Sequence, residues 1–237
     1  MIKLLQKPIW IFDDMFSLFF PNLCLGCGQP LVRGEDTICA ICHFHLPKTY
    51  FHNDPDNVLN KVFWGRVQLE AVAAYVFFQK GGTVQHLLHQ FKYKGKFEIG
   101  VRLGRWYGQD LRYADAFRDV ELVIPVPLHP NKQRKRGYNQ SRMFAEGLVT
   151  EMKATLEDRC LYRRIDSKTQ TRKSRYNRWE NVESIFAVRN PEKIRDRHVL
   201  LVDDVLTTGA TIEACAHALL QVPGVRVSVV TIAYASN

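Results

Sequence analysis

The chain has 237 residues, 46% of them hydrophobic and 11% aromatic, which is enough to bury a core and too apolar for a disordered chain. Its net charge of +9 raises the expectation of phosphate-bearing partners, nucleic acid included. Most of that charge is local: positions 129–142 hold five Lys or Arg and no acid, positions 159–178 hold eight and one acid, Asp166, and the remainder is mildly acidic, which favours anion-binding loops over a general nucleic-acid coat.

In chain order, the first 23 residues are apolar, but Asp13 and Asp14 interrupt them and no small-residue cleavage site follows. They read as neither signal peptide nor transmembrane span. Leu5, Ile9, Phe12, Phe16 and Phe19 repeat at i, i+4, i+7, i+11 and i+14, the stripe of an amphipathic helix that docks on the body or on a partner; a membrane surface is the lesser reading. Then come Cys24-Leu-Gly-Cys27 and Cys39-Ala-Ile-Cys42, with Gly26 and Gly28 tightening the first turn. Two such pairs present four thiolates that close tetrahedrally on one structural Zn²⁺, with no open position. A pair of disulfides or a redox pair is the alternative, and nothing in the chain indicates secretion. His43 and His45 read as surface residues beside the cluster, and Cys160 and Cys215 as separate from it, Cys215 on a buried helix face. His, Asn, Asp and Pro accumulate over 47–60, which places a boundary there: residues 1–50 form the leading helix and zinc-binding domain, residues 51–237 a second domain.

Past that boundary, 67–78 reads as a strand. Val84, Leu87, Leu88 and Phe91 mark a helix ending in FKYKG, and Ile99, Leu103 and Trp106 mark another. Leu122 to Ile124 is a short strand stopped by Pro125-Val126-Pro127. The following LHPNKQRKRGYNQS sets Lys132, Arg134, Lys135 and Arg136 in a cationic loop before Gly137, and Asn139 begins a helix carrying Phe144, Leu148 and Met152. Positions 163–178, basic and small polar with few apolar anchors, have the composition of a segment that moves without ligand.

Val199 to Val202 are four consecutive branched aliphatics, a strand buried on both faces, with Asp203 and Asp204 at its expected end. Thr207, Thr208, Gly209, Ala210 and Thr211 lead into a helix whose apolar positions Ile212, Cys215, Ala216 and Leu219 fall at i, i+3, i+4 and i+7. A helix N-terminus offers unpaired N–H groups and a positive dipole end, and the carboxylates beside it can accept from sugar hydroxyls. The unit suits a phosphorylated sugar. Positions 226–234 form a last strand, and the alternation of strands and helices predicts an α/β domain with a mainly parallel sheet flanked by helices, whose ligands sit beyond the strand C-termini. LLVDD also resembles a Walker B strand, but the chain has no GxxxxGK[ST], so a P-loop ATPase is excluded.

VLLVDDVLTTGAT resembles the phosphoribosyl pyrophosphate (PRPP) motif of type I phosphoribosyltransferases. The chain as a whole resembles the ComF family of competence-associated, amidophosphoribosyltransferase-like proteins, through its CxxC pairs, FKYKG at 91–95, PVPLHPNKQRKRGYNQS at 125–141 and SKTQTRKSRYNRWENVESIF at 167–186. The resemblance implies a type I phosphoribosyltransferase-like fold behind a zinc knuckle. It implies that Asp203 and Asp204 hold the ribose hydroxyls and stand at the catalytic centre, and that Thr207, Thr208, Gly209, Ala210 and Thr211 take the 5′-phosphate. The turn with Val126 and Pro127 corresponds to the pyrophosphate loop, Ser167 to Arg175 to a hood, and Mg²⁺ rides on PRPP oxygens. Arg136, Lys168 and Arg175 are the candidate cations for the leaving group. Thr207 stands where purine-salvage relatives place an acid used as a base, and Met1-Ile2 offers no amidotransferase nucleophile, so the acceptor is open. The family further implies a role in DNA uptake, a cytoplasmic location peripheral to the membrane-associated uptake machinery, and a competence helicase or recombination-mediator protein as partner. The alternative to an enzyme is a module that binds PRPP, a nucleotide or single-stranded DNA.

Overall fold

A computed structural model describes residues 20–164 and 185–235. The striped segment 5–19 and the hood with Lys168 and Arg175 lie outside the described residues. The centre is a five-stranded, wholly parallel sheet in the order β1, β7, β6, β2, β3, formed by β1 (Val72–Phe77), β2 (Leu122–Pro125), β3 (Thr155–Leu156), β6 (His198–Leu206) and β7 (Arg226–Tyr234). A small antiparallel pair, β4 (Leu161–Arg163) and β5 (Phe186–Val188), stands apart.

Helices cover both faces. In chain order they are α1 (Ala40–Phe44), α2 (Val58–Phe63), α3 (Thr83–Tyr93), α4 (Glu98–Leu111), α5 (Pro130–Arg136), α6 (Gln140–Val149) and α7 (Ala210–Leu220). The alternation along β6 divides the core. Leu200 and Val202 join one buried cluster with Leu87 and Phe91 of α3, Leu103 of α4 and Phe144 of α6. Val199 and Leu201 join a second with Phe63 of α2 and Ile212, Cys215 and Leu219 of α7. All four aliphatics are fully buried, as an uninterrupted apolar run in a parallel strand requires.

Three expected boundaries move, each for a local reason. The strand expected over 67–78 begins only at Val72, because Arg66 and Val67 donate back to the Phe63 carbonyl and close the turn after α2. The cationic loop is the helix α5. Pro130 occupies its first turn, His129 Nδ1 accepts from the Asn131 N–H, Lys, Gln and Arg favour the helix, and left-handed Gly137 ends it. β6 does not stop at the acids but runs to Leu206, because β7 continues alongside and pairs Asp203 with Thr231 and Leu206 with Tyr234.

On its other side β6 loses its neighbour at once. β2 ends at Pro125, opposite Val202, so the two carboxylates emerge where the sheet opens. This places them at the C-terminal edge, as the strand pattern predicts.

The stretch 47–60 leads from the cysteines to the sheet and lies against the outer edge of β1. Thr49 N–H donates to the Tyr75 carbonyl at 3.1 Å, Phe77 N–H to the Pro47 carbonyl at 2.8 Å, and Asn57 Nδ2 to the Val72 carbonyl at 3.1 Å. Among the described residues no helix is long and apolar enough to cross a membrane.

Candidate functional site

The paired acids are held by three elements. Asp203 Oδ1 accepts from the Ser141 hydroxyl at 2.9 Å and from the Asp204 N–H at 2.8 Å; Asp204 Oδ2 lies 2.9 Å from Lys92 Nζ. Ser141 is in place because Asn139 caps α6, accepting from the Ser141 N–H at 3.0 Å and donating to the Val126 carbonyl at 2.9 Å. One side chain thus joins the turn after β2 to the start of α6.

Burial pushes the Asp203 carboxyl up to about 7, and the adjacent Asp204 adds to that; the Asp204 N–H, the Ser141 hydroxyl and Lys92 pull the other way. Asp203 therefore titrates near neutrality.

A cleft of about 210 Å³ opens over these acids, bounded by Val126, Pro127, Lys92, Lys132, Arg136, Arg163 and Thr211. Four cations thus face two carboxylates in one cavity. Arg136 Nη1 donates to buried Gln140 Oε1 at 2.7 Å, and its guanidinium lies 5.7 Å from the Tyr93 ring centre. The arrangement can hold polyanion and sugar hydroxyls side by side.

Gly209, at φ 79°, is the N-terminal cap of α7, and no side chain caps that helix. Its first N–H groups face the loop with no partner supplied by the cap residue. A side chain at Gly209 would meet the Phe63 ring at 2.8 Å, so left-handed geometry and close packing both require glycine. Arg66 braces the same loop, donating to the Thr208 carbonyl at 3.1 Å and pairing with Glu213.

Of the residues expected from sequence, Asp203, Asp204, Val126, Pro127, Arg136 and Thr211 bound the cleft. Thr207, Thr208 and Ala210 are exposed on the adjoining loop, and Thr207 borders a neighbouring cavity instead. Sequence reasoning missed Lys92, Ser141, Gln140 and Arg163. Lys92 had a visible signal, being the lysine of FKYKG, and Arg163 heads the basic stretch expected to move yet lies in β4. Ser141 and Gln140 had none, because their role depends on the α6 cap reaching across to β2.

The four cysteines converge as their spacing predicts. Their sulfurs all lie within 4.8 Å of one another, with Cys27 Sγ and Cys39 Sγ 3.8 Å apart. A Zn–S bond of about 2.3 Å gives a tetrahedron with edges of about 3.8 Å, so the donor set can hold zinc. Backbone N–H groups already point at the sulfurs: Gly26 and Cys39 donate to Cys24 Sγ at 3.3 and 3.2 Å. Gly26 serves by closeness, since a Cβ there would lie 2.8 Å from Cys42 Sγ, whereas Gly28 serves by its left-handed φ of 75°.

His43 is not the surface residue its sequence position implies. It stacks on Trp106 with ring centres 3.7 Å apart and meets the Tyr75 hydroxyl at 3.2 Å, tying the knuckle to α4 and β1. His45 is exposed, as expected. Cys160 and Cys215 are buried away from the cluster, and burial raises both thiols, that of Cys160 to about 12.

Residues 139–236 match the family described as the phosphoribosyl transferase domain, a span that includes α6, both acids and α7. DNA utilization protein YhgH of Escherichia coli K12 is 29% identical over 220 residues, 86% of this chain and 93% of that protein. Competence protein F of Haemophilus influenzae is 29% identical over 217 residues, covering 85% and 92%. Competence protein ComFC of Bacillus subtilis is 27% identical over 201 residues, covering 84% and 78%.

Proposed function

We propose that this chain, a member of the ComF family of competence-associated proteins with a type I phosphoribosyltransferase fold, binds PRPP in the cleft over Asp203 and Asp204. The observation that supports this most is the meeting of paired carboxylates, four cations and an uncapped helix start at one edge of the parallel sheet. In this reading Asp203 and Asp204 accept from the ribose hydroxyls, the loop 207–211 takes the 5′-phosphate, and Val126 and Pro127 border the pyrophosphate. Mg²⁺ entering with PRPP would neutralise charge on the leaving pyrophosphate.

The chain's own part in the chemistry is electrostatic. Breaking the bond between C1 and pyrophosphate builds positive charge on the sugar and negative charge on the leaving group. Carboxylates below the ribose and Lys92, Lys132, Arg136 and Arg163 around the cleft are suited to both. In this reading the four-cysteine set holds Zn²⁺ as a structural ion, its converging sulfurs supporting that role, and the likeness to competence and DNA-utilization proteins supports a part in the handling of incoming DNA.

Thermal unfolding with Mg²⁺ and PRPP tests the reading. Ligand at a hundred times its Kd should add about 2.7 kcal/mol, and Asp203→Asn with Asp204→Asn should remove that gain. No stabilisation at millimolar PRPP would overturn the proposal. A second reading, single-stranded DNA binding, is favoured by exposed Lys132, Arg134 and Lys135 on α5. It requires a salt-dependent affinity whose slope falls when those lysines and Arg134 are neutralised.

A further inference from the structure

Glu213 stands in the first turn of α7, the helix whose start is read above as the seat of the 5′-phosphate. An acid there suits an empty helix end, because it meets the positive end of the dipole, but it opposes any anion brought to the same N–H groups. The fold sets a cation against it. Arg66, in the turn after α2 and 147 positions away in sequence, pairs with Glu213 through Nη2. Its Nη1 donates to the Val62 carbonyl on α2 and to the Thr208 carbonyl before α7, each at 3.1 Å. One planar guanidinium thus joins three acceptors, a task that the single nitrogen of a lysine cannot match.

Holding the Thr208 carbonyl also orients the amide that follows it. In a planar trans peptide the carbonyl and the next N–H point in opposite directions, so the Gly209 N–H is turned away from Arg66. The Phe63 ring closes the Arg66 side: it would meet a Gly209 Cβ at 2.8 Å, and its centre is 5.7 Å from the guanidinium. An anion therefore reaches the loop from the other side. Among the described residues nothing accepts from the N–H groups of Gly209, Ala210 and Thr211.

Resting on the PRPP reading above, we propose that Arg66 is a positioning residue for the 5′-phosphate, with two tasks. It turns the Thr208–Gly209 peptide so that its N–H faces the phosphate, and it masks the Glu213 charge that would repel one. Neither Arg66 nor Glu213 borders the cleft over the acids, so both act through the loop and not by touching the ligand. A brace that served folding alone would be indifferent to the charge of Glu213.

Affinities of the intact, zinc-loaded chain for PRPP with Mg²⁺, and for inorganic pyrophosphate with Mg²⁺, separate these roles at low ionic strength. Arg66→Met keeps the apolar stem and should weaken PRPP about tenfold while leaving pyrophosphate within about twofold. Arg66→Lys keeps the charge without the fork and should still weaken PRPP about threefold. Glu213→Gln, whose amide oxygen can accept from Arg66, should tighten PRPP about threefold, a gain that fades as salt screens it. Added to Arg66→Met, it should recover about threefold of the loss. Glu213→Gln and Arg66→Lys decide the matter even where Arg66→Met fails to fold. PRPP affinity unchanged by Arg66→Lys overturns the orienting role, and affinity unchanged by Glu213→Gln overturns the masking role. An equal loss of pyrophosphate shows a general disturbance of the cleft and overturns both. Absence of PRPP binding to the native chain overturns the site reading together with the inference.

Discussion

At the cleft, pH acts on Asp203. Its carboxyl keeps a proton to about pH 7 in the fold, against an ordinary value of 3.8. Between those values the folded state binds more protons than the unfolded chain, so this group's contribution to stability is full below about pH 4 and is lost as pH rises through 7. Asp203→Asn, which can still accept from Ser141 and the Asp204 N–H through its Oδ1, should therefore flatten the fall in melting temperature between pH 5 and 8. In the wild-type chain, affinity for Mg²⁺ and PRPP should climb over the same interval as the carboxylate forms. A pH-independent affinity would separate Asp203 from the sugar. Gly209→Ala combines a left-handed φ of 79° with the Phe63 ring at 2.8 Å and should lower stability by about 1–3 kcal/mol, read from denaturant midpoints. Gly26→Ala should act elsewhere, pushing on Cys42 Sγ at 2.8 Å and weakening zinc retention in a chelator competition.

At the scale of elements, α4 and α6 decide where the site stands. They approach so closely that a Cβ at Gly104 would lie 2.3 Å from the Phe144 carbonyl, and one at Gly147 would lie 2.2 Å from the Val101 carbonyl. Backbone cannot yield as a flexible side chain can. Gly147→Ala should lose roughly the 1–3 kcal/mol of an overpacked core, or more, and should also weaken PRPP binding, because α6 carries Ser141 to Asp203. A stability loss with unchanged affinity would show that Ser141 is positioned by its Asn139 cap alone. These elements also show what a sequence can reveal. The helix faces 84–91 and 99–103 were legible because their period is local, and the acids because four aliphatics must be buried on both sides. The helical state of 130–136 was hidden behind its charges, since its cap is a histidine and its stop a glycine that equally fits a loop. Lys92 could be read as part of a motif, but its pairing with Asp204 depends on α3 crossing the end of β6, which no local pattern encodes.

For the molecule as a whole, the knuckle and the sheet share their interior. Cys24, Ile38, Cys39, Cys42 and Leu46 belong to the same buried cluster as Leu87, Phe91 and Leu103, and the Asp36–Arg102 ion pair adds a surface link. Stripping the metal should consequently lower the melting temperature of the chain in one cooperative step rather than release a separate early transition. Calorimetry with and without a zinc chelator distinguishes the two.

The sheet's borders bear on how the protein behaves when crowded. Strand edges recruit other strands through unpaired N–H and carbonyl groups. Here β3, at one end, is two residues long, and the outer side of β1 is occupied by Pro47, Thr49, Asn57 and Asn60. The flank thus closed is the one that an abutting chain would otherwise extend. Detaching 47–49, for example with Thr49→Pro, should turn a well-behaved solution into one that forms thioflavin-positive aggregates on gentle heating, while the native sequence stays clear.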